Sequence, residues 1–312
     1  MNVLLLSLNW VARYGRLVLI VGLLVGISFP QLALITKSYL TEILIGLLFF
    51  AALRIGPREA LGNLSGIKRI LPIIVFYQVV LPCVAIFIFS QLGWSGMIPA
   101  AIVLMLAAPP ISGSPNLTIM VGGDPAPSLR LLVLSTATLP FTVLPVFAFS
   151  KLFGSADAVF FAALKLFAII VLSSSAAFIV RATVLKTPTK EALAAMDGVS
   201  AVLMAVLVVG LMSAFGPALF QNPLWLIQVL AITVVLNIAL QTGALFGVGQ
   251  LVEGTEKTAF AIGAGNRNMA LFLAALPLEV TTPLLMYVAC YQIPMYLTPY
   301  LMGPVYQRVS KF

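Results

Sequence analysis

The side chain with the clearest capacity for chemistry is the guanidinium of Arg267, which lies in the otherwise apolar and small-residue segment 261–277. At about 1.5 Å of helical rise per residue, Arg267 is roughly 15 Å from either flank of this apolar stretch, close to the middle of a bilayer. An ionised side chain at that depth costs on the order of 2.5 kcal/mol or more unless water, a partner or a ligand satisfies it. Arg267 is therefore a candidate anion ligand; the alternative is an arginine bonded to backbone carbonyls alone.

The segment around Arg267 also carries signals for a broken helix. Gly263 and Gly265 precede the arginine, and Asn268 follows it. Glycine weakens a helix interior, and an asparagine amide offers both donors and acceptors. We expect the helix to break at residues 263–266 and Asn268 to line the resulting site.

A second segment, residues 107–116, combines three prolines and a glycine where a membrane helix should be continuous. Proline removes a backbone donor and clashes with the preceding turn, so the helix is expected to unwind between about residues 108 and 115. Gly113 and Pro115 should shape this break. Half-helix N-termini at the two breaks would favour an anion. The alternative is a proline-kinked helix packed in protein, with the asparagines satisfying the kink.

Composition indicates the elements that must position these side chains. The 312 residues are 62% hydrophobic and 8% charged, which is typical of a polytopic membrane protein. Apolar runs long enough to cross a bilayer predict an all-α fold with ten transmembrane helices. Their approximate bounds are 15–34, 38–54, 68–92, 96–122, 127–150, 156–184, 195–216, 223–250, 256–277 and 279–306.

Residue types exclude several classes of function. The formal charge of +8 comes from basic residues at segment ends, which argues against nucleic acid as a partner. The chain has no histidine, the commonest metal ligand and catalytic base. Cys83 and Cys290 lie in apolar runs, as small core residues do. We expect no enzymatic activity, no metal and no cofactor, with the lipid bilayer as the surroundings.

The distribution of charge predicts the topology. With a cytoplasmic N-terminus, most of the 17 lysine and arginine residues fall on the cytoplasmic side, as such residues do in membrane proteins. Lys37, Lys151 and Lys165 fall on the opposite side. Both termini are therefore expected in the cytoplasm, in a membrane such as the bacterial inner membrane.

The two breaks occupy equivalent positions in two halves of the chain. The Gly-x-x-Asn sequence at 113–116 matches the one at 265–268. Five spans per half is an odd number, so the halves 1–152 and 153–312 should enter the membrane with opposite orientations. Inverted repeats of this kind are typical of secondary transporters.

These features resemble the bile acid:sodium symporter family, whose members have ten spans, inverted five-helix repeats and crossed broken helices four and nine. In the third span, Gln78 is followed closely by a proline, as in the family, where the glutamine belongs to a sodium site. In the fourth span, residues 114–116 (Ser-Pro-Asn) stand where the family carries Ser/Ala-Asn. In the ninth span, Gly265, Asn268 and Leu271 share the family's frame. The resemblance implies sodium-coupled transport of a carboxylate or bile-acid-like anion.

Two residues depart from the family at its sodium sites. Gly263 stands where the family has a glutamate that bridges two sodium ions, and Arg267 replaces a glutamine ligand. At about 4 Å and an effective dielectric of about 20, each unit-charge interaction is worth roughly 4 kcal/mol, so the exchange disfavours a cation. The inherited sodium positions Gln78, Ser114, Asn116, Gly263 and Arg267 therefore look degraded, with the guanidinium in place of a sodium ion.

Several alternatives stay open. A sodium-coupled symporter could have rebuilt its cation site from other groups. An arsenite exporter of the same superfamily needs a cysteine in the fourth span, where Pro110 stands here. A membrane receptor would bind without turnover, and a channel would show no saturation.

The sequence thus predicts a secondary transporter that moves a small organic anion by alternating access. Five side chains are expected to contact the substrate: Arg267, Asn116, Asn268, Ser114 and Gln78. Tyr287, Tyr291 and Gln292 of the tenth span either line the cavity or pack against neighbouring helices.

Overall fold

The computed structural model of the protein describes residues 3–62, 67–150, 156–247, 252 and 256–309. Within them the chain forms α-helices and one π-helical turn, Phe76–Val80, with no β-strand beyond one isolated bridge. The α-helices are α1 (Val3–Arg13), α2 (Gly15–Ser28), α3 (Pro30–Lys37), α4 (Leu40–Ile55), α5 (Pro57–Gly62), α6 (Ile67–Val75), α7 (Leu81–Gln91), α8 (Met97–Ala107), α9 (Ser114–Met120), α10 (Pro125–Phe149), α11 (Ala156–Thr183), α12 (Lys190–Leu211), α13 (Phe215–Gln221), α14 (Pro223–Phe246), α15 (Glu256–Gly265), α16 (Ala270–Ala275), α17 (Leu278–Leu301) and α18 (Gly303–Val309). The expectation of an all-helical protein is confirmed.

Several of these helices are long and apolar enough to cross a membrane. Among the described residues there are five such stretches: Ile67–Gln91, Pro125–Phe149, Asp157–Thr183, Lys190–Gln221 and Pro223–Phe246. The number rises to seven if each of two bent pairs is one span: Leu5–Arg13 with Leu17–Ser28, and Pro30–Lys37 with Leu40–Ile55. These helices indicate an integral membrane protein, while ten spans and an inverted repeat stay predictions. Lys151 and the predicted boundary between the halves lie outside the described residues.

The predicted fourth span is broken into α8 and α9. α8 ends where Ala108, which precedes a proline, takes an extended conformation with φ −69° and ψ 150°. α9 begins at Ser114 with Pro115 in its first turn, a position where a helix needs no N–H. The break therefore ends before Pro115, which starts the second half-helix rather than interrupting the first.

The predicted ninth span is broken into α15 and α16. α15 ends at Gly265, and residues 266–269 separate it from α16, so the break begins after the two glycines and not at Gly263 as expected. The glycines allow close packing instead. A Cβ on Gly263 would lie 2.6 Å from Cδ2 of Leu131, and one on Gly265 would lie 2.3 Å from Cγ of Gln241.

The chain forms two compact units, of which the first comprises Met1–Gly62 and Phe167–Leu226. In this unit α12 packs against α1, α2, α3 and α4. A Cβ on Gly198 of α12 would lie 2.2 Å from the carbonyl oxygen of Leu8, and one on Gly22 would lie 2.7 Å from a carbonyl oxygen of α12. Small residues let helix backbones approach this closely, as is common between membrane helices.

The second unit comprises Asn63–Leu166 and Ile227–Phe312 and contains both broken helices. In this unit α10 packs against α6, α9, α15 and the π-helical turn, and α17 packs against α8. The π-helical turn immediately precedes a proline-bearing first turn at Pro82, and such turns locally widen a helix. All the side chains that the sequence singles out as substrate contacts belong to this unit.

Candidate functional site

The unwound segments of the two broken helices pair with each other. The N–H of Ile111 donates to the carbonyl of Asn266 at 2.9 Å, and the N–H of Asn268 donates to the carbonyl of Pro109 at 2.7 Å. Arg267 lies between these two bonds, in an antiparallel bridge. Backbone groups that leave a helix inside a bilayer need partners within the protein, and each break here supplies the other. We call this pairing the crossover.

The side chain of Arg267 binds the ends of two half-helices. The residue is 1% exposed, its Nε donates to the carbonyl of Ala264 at 2.7 Å, and its Nη1 donates to the carbonyl of Ala108 at 2.9 Å. Ala264 belongs to the last turn of α15 and Ala108 caps α8. Both acceptors thus lie at helix C-termini, where the helix dipole carries partial negative charge. The guanidinium is a cation shared by two helix ends.

Two tyrosines hold the same residue from its face and its backbone. Cζ of Arg267 lies 4.8 Å from the centroid of the Tyr77 ring, which is a cation–π geometry. The hydroxyl of Tyr291 accepts from the backbone N–H of Arg267 at 3.1 Å and donates to the carbonyl of Gly265. The hydroxyl of Tyr77 donates to the carbonyl of Phe260 at 3.3 Å. The guanidinium is therefore fixed in position as well as buried.

One nitrogen of the guanidinium remains without a partner. Nη2 of Arg267 is buried and has no acceptor among the described residues. The Oγ atoms of Ser114 and Ser128 are also buried without a hydrogen-bond partner in this part of the chain. Because buried polar groups nearly always have partners, a free N–H pair on a buried cation indicates a place for water or an anion. The described residues contain no group of three or more His, Cys, Asp or Glu that could hold a metal ion.

The crossover brings some of the predicted contact residues together. Asn268 is adjacent to Arg267 in the unwound segment, half-buried, and pairs through its backbone. Ser114 is fully buried at the start of α9, next to the half-buried Gly113. Asn116 lies in the first turn of the same helix, but its side chain is exposed. A cavity shared by the two asparagines stays a prediction.

Gln78 has a different surrounding from the one its sequence position suggests. Its Nε2 donates to the carbonyl of Ser135 at 3.3 Å, and its Oε1 accepts from Oγ1 of Thr142 at 3.3 Å. Both partners belong to α10, so Gln78 ties the π-helical turn to that helix. The preceding residue, Tyr77, is the one that contacts Arg267.

The tenth-span side chains left open between cavity lining and packing are buried. Tyr287 stacks on Tyr291 with ring centroids 6.3 Å apart, and its hydroxyl donates to the sulfur of Met105 at 3.4 Å. Gln292 is buried as well. These contacts favour helix packing for Tyr287, whereas Tyr291 belongs to the surroundings of Arg267.

A second polar cluster contacts the ninth-span break and was not found from the sequence. We call it the amide network; its members are fully buried and are Asn237, Gln241, Asn266, Thr298 and Tyr306. Asn237 of α14 donates through Nδ2 to the carbonyl of Gly265 at 2.6 Å. The available signal was the spacing of Asn237 and Gln241, two amides four residues apart on one face of an apolar helix.

No protein-family model matches the chain, and no curated protein matches it in sequence. The resemblance to the bile acid:sodium symporter family therefore stays a prediction. Inferences about function rest on the geometry around Arg267.

Proposed function

We propose that the protein is a secondary transporter of a small organic anion and that Arg267 binds the anion's negative group. Transport should not need the two sodium ions that the family resemblance implies. The proposed architecture is ten spans in two inverted repeats, with the substrate at the crossover of spans four and nine. Asn116, Asn268 and Ser114 are proposed as further contacts.

The observation that carries the proposal is the unbalanced charge of Arg267. Its buried guanidinium has no carboxylate partner among the described ion pairs, and Nη2 has no acceptor among the described residues. Arginine does not usefully release its proton, so the positive charge stays in the protein interior. A carboxylate at Nη2 would supply both the missing acceptor and the missing countercharge. Nε and Nη1 would meanwhile keep holding the crossover.

Independence from sodium follows from what already occupies the helix ends. The carbonyls of Ala108 and Ala264 are the kind of ligands that bind a cation, and both accept from Arg267. A carboxylate at Gly263 would need Leu131 to move, because a Cβ there lies 2.6 Å from that side chain. A fixed cation at this place disfavours a mobile one by roughly 4 kcal/mol at about 4 Å.

The composition of the two units supports the repeat. The first unit takes Met1–Gly62 from the first half and Phe167–Leu226 from the second. The second unit takes Asn63–Leu166 and Ile227–Phe312, with one broken helix from each half. Repeats that each give their first two spans to one unit and their last three to the other would produce this division. Secondary transporters are often built from such repeats.

The test is binding followed by flux on the purified full chain. Acetate, pyruvate, benzoate and cholate are screened by thermal shift in potassium buffer, where a ligand of the native state raises the melting temperature. Radiolabelled hits are then offered to sealed proteoliposomes. We expect at least one carboxylate to bind and to accumulate by a saturable process. Binding without accumulation would indicate a receptor, and no response to any of the four anions would contradict the proposal.

A further inference from the structure

The side chain of Asn237 is placed to control the unwound segment that carries Arg267. Its Nδ2 donates to the carbonyl of Gly265 at 2.6 Å and to Oδ1 of Asn266 at 3.3 Å. Its Oδ1 accepts from Nε2 of Gln241 at 2.6 Å. Both donor positions of this amide are thus engaged on the two residues that immediately precede Arg267. No exposed surface is left on Asn237.

The other members of the amide network close the arrangement. Oδ1 of Asn266 also accepts from Oγ1 of Thr298 at 2.9 Å, and Gln241 donates to the same hydroxyl at 3.2 Å. Oε1 of Gln241 accepts from the hydroxyl of Tyr306 at 2.6 Å. The side chains of this network have hydrogen-bond partners, in contrast to Nη2 of Arg267. A satisfied buried network rigidifies what it holds and offers little to a ligand.

The backbone held by Asn237 lies between the two bonded ends of the arginine. Ala264, which accepts from Nε of Arg267, directly precedes Gly265, and Tyr291 contacts both Gly265 and the N–H of Arg267. A shift of the carbonyl of Gly265 therefore moves the acceptor of Nε and the origin of the side chain together. The direction of Nη2 depends on both.

We propose that Asn237 is a positioning residue for Arg267: by holding Gly265 and Asn266 it aims the guanidinium so that Nη2 stays free for the anion. This inference rests on the proposed function for the purpose of the aim. Its structural content, the dependence of the guanidinium on an amide of α14, is measurable without any ligand.

The experiment compares Asn237→Leu with Thr233→Val, both in the full chain. Leucine has a shape close to that of asparagine but donates nothing to Gly265. Thr233 lies one turn earlier on α14, is equally buried, and its hydroxyl donates at 2.8 Å to Leu230 of its own helix. Thr233→Val thus removes a buried hydrogen bond of the same helix without touching the break.

Two readouts report on the crossover directly. The first is the nitrogen-15 NMR signal of Nε–H of Arg267, assigned by its loss in Arg267→Lys. The second is hydrogen exchange of the amides of Ile111 and Asn268, which pair across the crossover. In Asn237→Leu we expect the Nε–H signal to shift and all three protons to exchange at least about tenfold faster than in the unaltered protein. Thr233→Val should leave them within about twofold.

Unchanged exchange and an unchanged Nε–H signal in folded Asn237→Leu would overturn the inference. Equal changes in Thr233→Val would also overturn it, because they would reflect a general loosening of α14. If Asn237→Leu does not fold, Thr298→Val replaces it, since it removes the other donor to Oδ1 of Asn266. Failure of the four anions to bind the unaltered protein would contradict the proposed function alone and leave these proton measurements valid.

Discussion

The two units of the chain solve helix packing with different groups. In the first unit, α12 meets its neighbours through glycine and alanine, and a Cβ on Gly198 would collide with the backbone of α1. In the second unit, two broken helices meet through a buried arginine and a network of amides and hydroxyls. Arg54 of the first unit is also charged, but it is 44% exposed and paired with Asp197.

This difference separates a packed scaffold from a place for chemistry. Close contacts between small residues stabilise helix pairs through van der Waals packing and hold no spare donors. Unwound backbone and a buried charge are expensive in a bilayer and are typical of sites for ions or substrates. The second unit carries both features, and the free nitrogen of Arg267 is part of them.

The largest expected effect is in the packed unit, where Gly198→Ala should lower the free energy of unfolding by about 3 kcal/mol through overpacking. The added Cβ would lie 2.2 Å from a backbone oxygen, which cannot rotate away. Gly243→Ala is the matched control, since nothing lies within 4 Å of a Cβ at that position of α14. Unfolding in mixed micelles measures both variants. Equal effects of the two alanines would contradict close packing at Gly198.

A second comparison removes the charge from each unit. Arg267→Met leaves the carbonyls of Ala108 and Ala264 without their donor, which should lower the free energy of unfolding by about 2 kcal/mol. Arg54→Met breaks an exposed pair and should change it by less than about 1 kcal/mol. Arg267→Met should also abolish the thermal response to carboxylates. A retained response would remove the guanidinium from anion binding.

Local chemistry explains which parts of the site the sequence could predict. The break in the fourth span follows from prolines, whose effect on the backbone needs no tertiary context. The depth of Arg267 follows from the apolar residues on both sides of it. The break in the ninth span was placed too early, because Gly263 and Gly265 stay helical and are required by close neighbours instead.

The parts that the sequence did not predict depend on partners distant in the chain. Asn237 acquires a role only because the carbonyl of Gly265 becomes available at a break. The exposure of Asn116 and the direction of Gln78 towards α10 depend on how α9 and the π-helical turn are rotated. Residue periodicity contains no information on such rotations when a helix is apolar on all sides.

A smaller effect is expected when the charge is kept and the shape of the group is changed. Arg267→Lys retains a cation but loses the planar fork that grips a carboxylate and two carbonyls at once. The variant should fold and bind a responding carboxylate about tenfold more weakly, a loss of about 1.4 kcal/mol. Isothermal titration against the unaltered protein measures this. Equal affinity in a well-folded lysine variant, with normal uptake, would mean that Arg267 only holds the crossover.

The smallest expected effect is that of sodium, and it tests whether Arg267 replaces a cation. Exchanging sodium for potassium should change anion binding and thermal stability of the unaltered protein by less than about twofold in affinity, because the helix-end carbonyls already accept from the guanidinium. In Arg267→Gln these carbonyls lose a charged partner and could accept a cation. Sodium should then raise the melting temperature of that variant more than potassium does, as expected for a ligand of the native state. A saturable sodium dependence of the unaltered protein with a Hill coefficient near two would instead indicate cation sites built from other groups.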